Sequence, residues 1–307
     1  MYERPSFFLN CIKSVNEQNY SPIEVIIIDD ASTTNFCNIL NNFYWKKNLT
    51  VKYKKLKKNL GNGGAKNRGI QLAKGEYIAI LDSDDYWKPE YLSEHVNFLK
   101  NNPEISISYS DYYIKNPKQG IRVREYEPYS KILPNVFDGI NWIQASSRVW
   151  RRIAIKRVGP MVNYRRSSDV NQLIRAGCLD LNIGHIPKIL GYYSEDHGQN
   201  QITKTQDNFI AKIEEMKSLI HAAKFIFQTR KHKNAKNLEL MSKMYLNHTI
   251  SLLLLNERYF SKEGLVIVTR IGYNISNTLF AFIGFIFISL EASPILIGKI
   301  LRKLNLH

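Results

Sequence analysis

The chain has 307 residues, with 43 lysines and arginines against 27 acidic residues and a formal net charge of +16. That length allows one large domain plus a smaller one, and the charge implies anionic partners: nucleic acid, acidic lipid or a phosphorylated substrate. Three scattered cysteines, Cys11, Cys37 and Cys178, with no CxxC pair argue against a disulfide framework or a zinc site and suit a reducing cytoplasm. No signal-peptide pattern follows Met1.

Residues 6 to 18 place Phe8, Leu9, Ile12 and Val15 at helical spacing. "IEVIIIDDAST" predicts a buried strand, Ile23 to Ile28, that ends in two carboxylates and a turn. "NILNNFYW" predicts a helix, and "TVKYKKL" alternates like an edge strand. "NLGNGGAKNRGIQLAKG" predicts a glycine-rich loop followed by a short helix through Ala73, closed by Gly75. "YIAIL", residues 77 to 81, predicts a second buried strand. Further on, "ISISYSDYYI" is a strand candidate, "RRIAIKRVG" a helix closed by Gly159, and "SSDVNQLIRAG" a helix with serine caps that ends at Gly177. From about residue 205 the pattern changes to longer basic and apolar helical stretches, so a domain boundary is expected near 203 to 208.

Strands alternating with helices predict an α/β fold with a mostly parallel sheet covered on both faces. Ligands of such sheets bind beyond the carboxyl ends of the strands. Both acidic clusters, Asp29–Asp30 and Asp82, Asp84 and Asp85, stand at such ends. Acidic residues also form turns and helix caps; the other reading of carboxylates this close is a divalent-cation site with hard-oxygen ligands. The glycine-rich stretch contains neither GxGxxG nor GK[ST], so it is not a phosphate loop of the Walker or dinucleotide type.

The order of "CIKSVNEQNYSPIEVIIIDDAST", "NLGNGGAKNRGIQLAKGEYIAILDSDDYWKPEYL" and, more weakly, "VWRRIAIKRVG" and "SSDVNQLIRAG" resembles a family 2 glycosyltransferase of the GT-A fold, over roughly residues 4 to 200. The resemblance implies a GT-A domain over 1–204, short at its N-terminus, and a helical, membrane-associated region over 205–307. Asp82–Ser83–Asp84 then corresponds to the family's DxD motif, with Asp84 on a Mn²⁺ or Mg²⁺ ion and Asp82 facing the ribose or donor sugar. Asp85 supports the site or caps the next helix. Asp30, with Asp29 beside it, is the nucleotide-binding choice, and Lys66 stands where relatives commonly carry an arginine near the base or a phosphate.

The resemblance also makes Asp169 the candidate base of an inverting transfer. Relatives usually have Glu-Asp there, and this chain has Ser168-Asp169. His197 follows a strand where many relatives place a histidine for metal or phosphate. Trp150, Arg151 and Arg152 border the acceptor pocket or simply pack. Relatives begin with a strand and loop ahead of the first helix, whereas here Met1 falls just before it. Two neighbouring strands are therefore expected to carry unpaired backbone groups unless they re-pair.

"TLFAFIGFIFISLEASPILIGKILRKL", residues 278 to 304, is the most apolar segment, but Glu291 and Pro294 interrupt it. It predicts an in-plane membrane helix or hairpin, with Lys299, Arg302 and Lys303 near anionic headgroups; a spanning or core helix is the alternative. The leading expectation is a metal-dependent transferase, peripheral on the inner face of the plasma membrane. It would move sugar from a nucleotide-diphosphate donor to a glycan or lipid-linked acceptor in surface polysaccharide synthesis. The alternative is a non-catalytic relative that binds sugar nucleotide or acts as a scaffold. A nucleic-acid role, suggested by "KKNLTVKYKKLKKN", lacks any recognition motif and is not expected.

Overall fold

Proline suits the first position of a helix, where its missing N–H would be unpaired anyway. Helix α1, Pro5–Asn16, starts this way and buries Phe8, Cys11, Ile12 and Val15 along one face. The computed structural model describes residues 1, 3–133, 135–137, 143–164, 167–195, 218, 221, 222 and 225. His197 and the apolar segment 278–304 lie outside them.

Strand β1, Ile23–Asp29, runs parallel to β2, Leu49–Lys55, in register from Ile23↔Leu49 to Asp29↔Lys55. Along β2 the side chains alternate between half-buried and exposed, and Lys52 and Lys54 point outward. The lysine-rich stretch is thus the solvated face of an edge strand. Short helix α2, Phe36–Asn41, is capped by Asn35, whose side chain accepts from the Asn38 N–H. It packs Phe36 edge-on against Phe8, ring centroids 5.2 Å apart.

The larger sheet has the order β3-β7-β5-β8-β4, with β6 on β5. Its strands are β3 (Tyr77–Ala79), β4 (Tyr86–Trp87), β5 (Ile105–Asn116), β6 (Gly120–Arg124), β7 (Arg148–Arg151) and β8 (Asn182–Ser194). The expectation of mostly parallel pairing needs correction here. Only β1–β2 and β5–β8 pair in parallel among the described ladders, and the other four are antiparallel. Parallel neighbours need a crossover of a dozen or more residues, whereas β5 turns into β6 over three residues, at Gly120 with φ +77. Helix α4, Tyr91–Asn101, covers this sheet with Tyr91, Leu92, Val96 and Leu99.

Among the described residues no ladder joins β1 to β3. Met1 instead makes strand-like bonds to β1: its amine donates to the Ile28 carbonyl at 2.7 Å, and its carbonyl accepts from the Asp30 N–H at 3.0 Å. Burial lowers the pKa of that amine, while Asp82, Asp30 and Asp29 oppose the shift. Asp82, three residues past the end of β3, and Asp30, one past the end of β1, thus both act on the Met1 amine.

The chain divides into two compact units, one of residues 1–132, 141–163 and 179–201 and one of 133–140, 164–178 and 202–307. This division differs from a simple cut near residue 204, because helix α6, Ser168–Cys178, is bonded to later residues. Asn171 Nδ2 donates to the Ser218 carbonyl at 2.6 Å, and Ser218 Oγ donates to the Ser167 carbonyl at 2.9 Å.

Candidate functional site

Asp30 stands one residue past the end of β1 and is buried. Its carboxylate accepts from the backbone N–H of Leu60 at 2.7 Å and of Gly61 at 2.8 Å. Those amides open helix α3, Gly61–Leu72, so an anion sits at the positive end of the helix dipole. The glycine-rich stretch is consequently the first turn of α3 rather than a loop. Its glycines serve close packing: a Cβ on Gly63 would lie 2.7 Å from the Val162 carbonyl, and the Gly64 N–H donates to Asn163 Oδ1 at 3.1 Å.

Asp29 is fully buried and accepts from the Ser32 N–H at 2.9 Å and the Tyr53 hydroxyl at 2.6 Å. Burial, followed by the Asp29 carboxylate, pushes the Tyr53 hydroxyl above its ordinary range, so it remains a donor. Asp29 thus anchors the turn after β1 and ties it to β2, while Asp30 anchors α3.

Lys66, one turn into α3, reaches both oxygens of Asp82, at 2.8 and 3.0 Å. Asp84 is paired with the guanidinium of Arg4, which precedes α1. The two leading aspartates therefore each carry a cation, with side chains 30% (Asp82) and 15% (Asp84) exposed. Asp85 points inward at 1% exposure and accepts from Ser146 Oγ at 2.6 Å and the Ser194 N–H at 3.0 Å. Burial raises its pKa, with Asp84 and Asp82 adding to the shift. Ser146 Oγ also accepts from the Asp82 N–H at 3.1 Å and so clamps the acidic turn from the β7 side. Asp85 supports the turn and is not a helix cap.

Asp82 and Asp84, both partly exposed, are hard-oxygen side chains of the kind that could hold a divalent ion together with a phosphate ligand. Among the described residues no group of three or more His, Cys, Asp or Glu side chains surrounds one point. The donor set suits an ion completed by its ligand, not a closed protein cage.

Asp169 lies in the first turn of α6, within the second unit, whereas Asp30, Lys66, Asp82 and Asp84 all belong to the first. Trp150 is 1% exposed in β7, and Arg151 is tied to the carbonyls of Leu99 at 2.6 Å and Ile105 at 2.8 Å. Both therefore serve packing. Sequence reasoning overlooked Arg4 and Ser146. Neither stands in a motif, and only the fold brings them to the acidic turn.

The chain matches the family described as "Glycosyl transferase family 2" over residues 1–168. It is 38% identical over 104 residues to the Escherichia coli UDP-Glc:alpha-D-GlcNAc-diphosphoundecaprenol beta-1,3-glucosyltransferase WfaP, a match covering 34% of this chain and 40% of that protein. Among solved structures, S. aureus TarS 1–349 in complex with UDP-GlcNAc aligns with a TM-score of 0.69 at 16% identity, over 86% of this chain and 78% of that one. The mannosyltransferase PcManGT from Pyrobaculum calidifontis, in complex with GDP-Man and Mn²⁺, aligns with a TM-score of 0.55 at 13% identity, over 94% of this chain and 78% of that one. The architecture is the GT-A fold.

Proposed function

The chain belongs to glycosyl transferase family 2, and from that premise we propose that it is a metal-dependent, inverting transferase. It takes a sugar from a nucleotide-diphosphate donor and passes it to a lipid-linked glycan at the inner face of the plasma membrane. The observation that carries this reading is the pairing of Asp82, two residues before Asp84, with Lys66 of α3, the helix whose first amides Asp30 holds.

In this reading Asp30 and the start of α3 border the base, Asp82 faces the ribose or sugar, and Asp84 is the principal ligand of a Mn²⁺ or Mg²⁺ ion. Such an ion, when bound, neutralises charge on the departing diphosphate. Lys66 adds a second positive charge at the same oxygens. Asp169 takes the proton of the acceptor hydroxyl as that oxygen attacks the anomeric carbon, and His197 is a further contact to metal or phosphate. Support for the acceptor class comes from the diphosphoundecaprenol-linked substrate in the name of the E. coli relative. The apolar, basic-ended segment 278–304 gives a means of holding the enzyme at that surface.

The test is a panel of nucleotide sugars scored by thermal stabilisation with and without Mn²⁺, since a ligand of the native state raises its stability. One donor should stabilise the protein only with the ion, and Asp84→Ala should abolish that shift. A donor shift of equal size without metal, or one unchanged in Asp84→Ala, would refute the metal assignment.

A further inference from the structure

Asp82 and Asp84 of the acidic turn are each paired with a cation. Asp82 and Asp84 bring two negative charges, and Lys66 and Arg4 bring two positive ones in direct contact. The Arg4 and Asp84 side chains are only 13% and 15% exposed, so solvent screens this pair weakly. Arg4 lies immediately ahead of α1 and reaches across 80 residues of sequence to Asp84. Local chain geometry does not demand that contact.

We propose that Arg4 is a diphosphate-binding residue stored on Asp84: it occupies the metal's carboxylate in the unliganded protein and transfers to the donor diphosphate when the metal takes its place. This inference rests on the donor site proposed above. Beside these two ion pairs a dication alone adds two positive charges, and a diphosphate dianion alone adds two negative ones. Together they add no net charge, so metal and donor bind with positive coupling. The guanidinium fork suits the exchange, because it matches carboxylate and phosphate oxygens equally well.

The consequence for Arg4→Gln is a pair of effects of opposite sign. Without its internal competitor, Mn²⁺ alone should bind about tenfold more tightly, a modest change for one partly buried charge. With saturating Mn²⁺, UDP-glucose or GDP-mannose, whichever the unsubstituted protein binds, should bind about tenfold more weakly, because the diphosphate has lost a cation. Arg4→Lys should restore most of both affinities. Electron paramagnetic resonance of free Mn²⁺ and calorimetry with the full-length chain read the two arms separately.

Mn²⁺ affinity unchanged or weakened in Arg4→Gln would overturn the inference, as would a joint loss of both affinities, the mark of a merely structural role. If neither nucleotide sugar binds the unsubstituted protein, the donor reading fails, while the Mn²⁺ arm still decides whether Arg4 guards Asp84. If Mn²⁺ binds neither protein, the inference falls as well.

Discussion

The Asp30 carboxylate and the Gly61 amide meet at 2.8 Å, with the Leu60 amide on the other oxygen at 2.7 Å. One side chain at the end of β1 therefore sets where α3 begins, and α3 in turn carries Lys66 to Asp82. An asparagine at position 30 would turn an NH2 group toward one of those donors. Asp30→Asn should destabilise the protein by ~1–3 kcal/mol, the usual cost of a buried unpaired donor. Urea unfolding reads that loss. The same variant should weaken donor binding because Lys66 moves with its helix. Full stability in Asp30→Asn would mean that α3 is anchored elsewhere.

Gly63 supplies a second, independent anchor. Its missing side chain lets the Val162 carbonyl approach to where a Cβ would lie only 2.7 Å away, and backbone cannot yield as a flexible side chain can. Gly63→Ala should cost ~1–3 kcal/mol through overpacking, although alanine favours helix better than glycine. Gly69→Ala is the control, because its Cβ would meet only the Ile28 side chain at 3.7 Å. That substitution should be neutral or stabilising by up to ~1 kcal/mol. Equal effects at the two positions would refute the close-approach argument.

A third prediction concerns acid stability. His95 is fully buried between the hydroxyls of Ser108 (2.8 Å) and Ser110 (3.2 Å), and burial lowers its pKa to about 3 from an ordinary 6.5. Above pH 6.5 the ring is neutral in both folded and unfolded chains and contributes no pH dependence. Between pH 6.5 and about 3 the unfolded state binds a proton that the folded state refuses. Stability is therefore lost as pH falls through that window, by up to ~1.4 kcal/mol per unit from this one group. Denaturant midpoints measured from pH 7 to 4 should fall more steeply in the native protein than in His95→Gln. Parallel profiles would show that the ring is protonated within the fold.

Local signals were legible wherever one element decides its own shape. Examples are the apolar spacing of Phe8, Ile12 and Val15, the alternation of β2, and Gly159 with φ +82 ending helix α5, Arg152–Val158. The acidic cluster at Asp82 and Asp84 was legible as well, because charge crowding shows in the sequence alone. What escaped was settled at a distance. Three glycines near the start of α3 read as a loop until Asp30, some thirty residues earlier, caps them. The inward turn of Asp85 depends on Ser146 and Ser194, and the pairing of Asp84 depends on Arg4. None of these partners lies within a window that periodicity or motif spacing can scan. Asp169 marks the same boundary: its place at a helix start was readable, while its grouping with residues beyond 202 arises from contacts such as Asn171 to Ser218.

The last prediction separates the two roles open to Asp169. In the first turn of α6 a carboxylate is favoured by the helix dipole, and that role is structural. Asparagine keeps the size and removes both the charge and the capacity to accept a proton. If Asp169 serves only the helix, Asp169→Asn should cost ~0.3–1 kcal/mol of stability and leave turnover nearly intact. If it is the base of an inverting transfer, turnover should fall by about 10²–10⁴-fold, with Mn²⁺-dependent donor affinity unchanged because the donor residues lie in the other unit. Asp169→Glu then helps to separate the roles: it preserves the charge at the helix start but displaces the accepting oxygen, so stability should return while turnover stays low. Transfer rates and donor affinities measured on the three proteins distinguish the cases. Turnover within about tenfold of the native rate in Asp169→Asn, less than general-base loss usually costs, would return Asp169 to its structural role and direct the search for the base to other acidic residues.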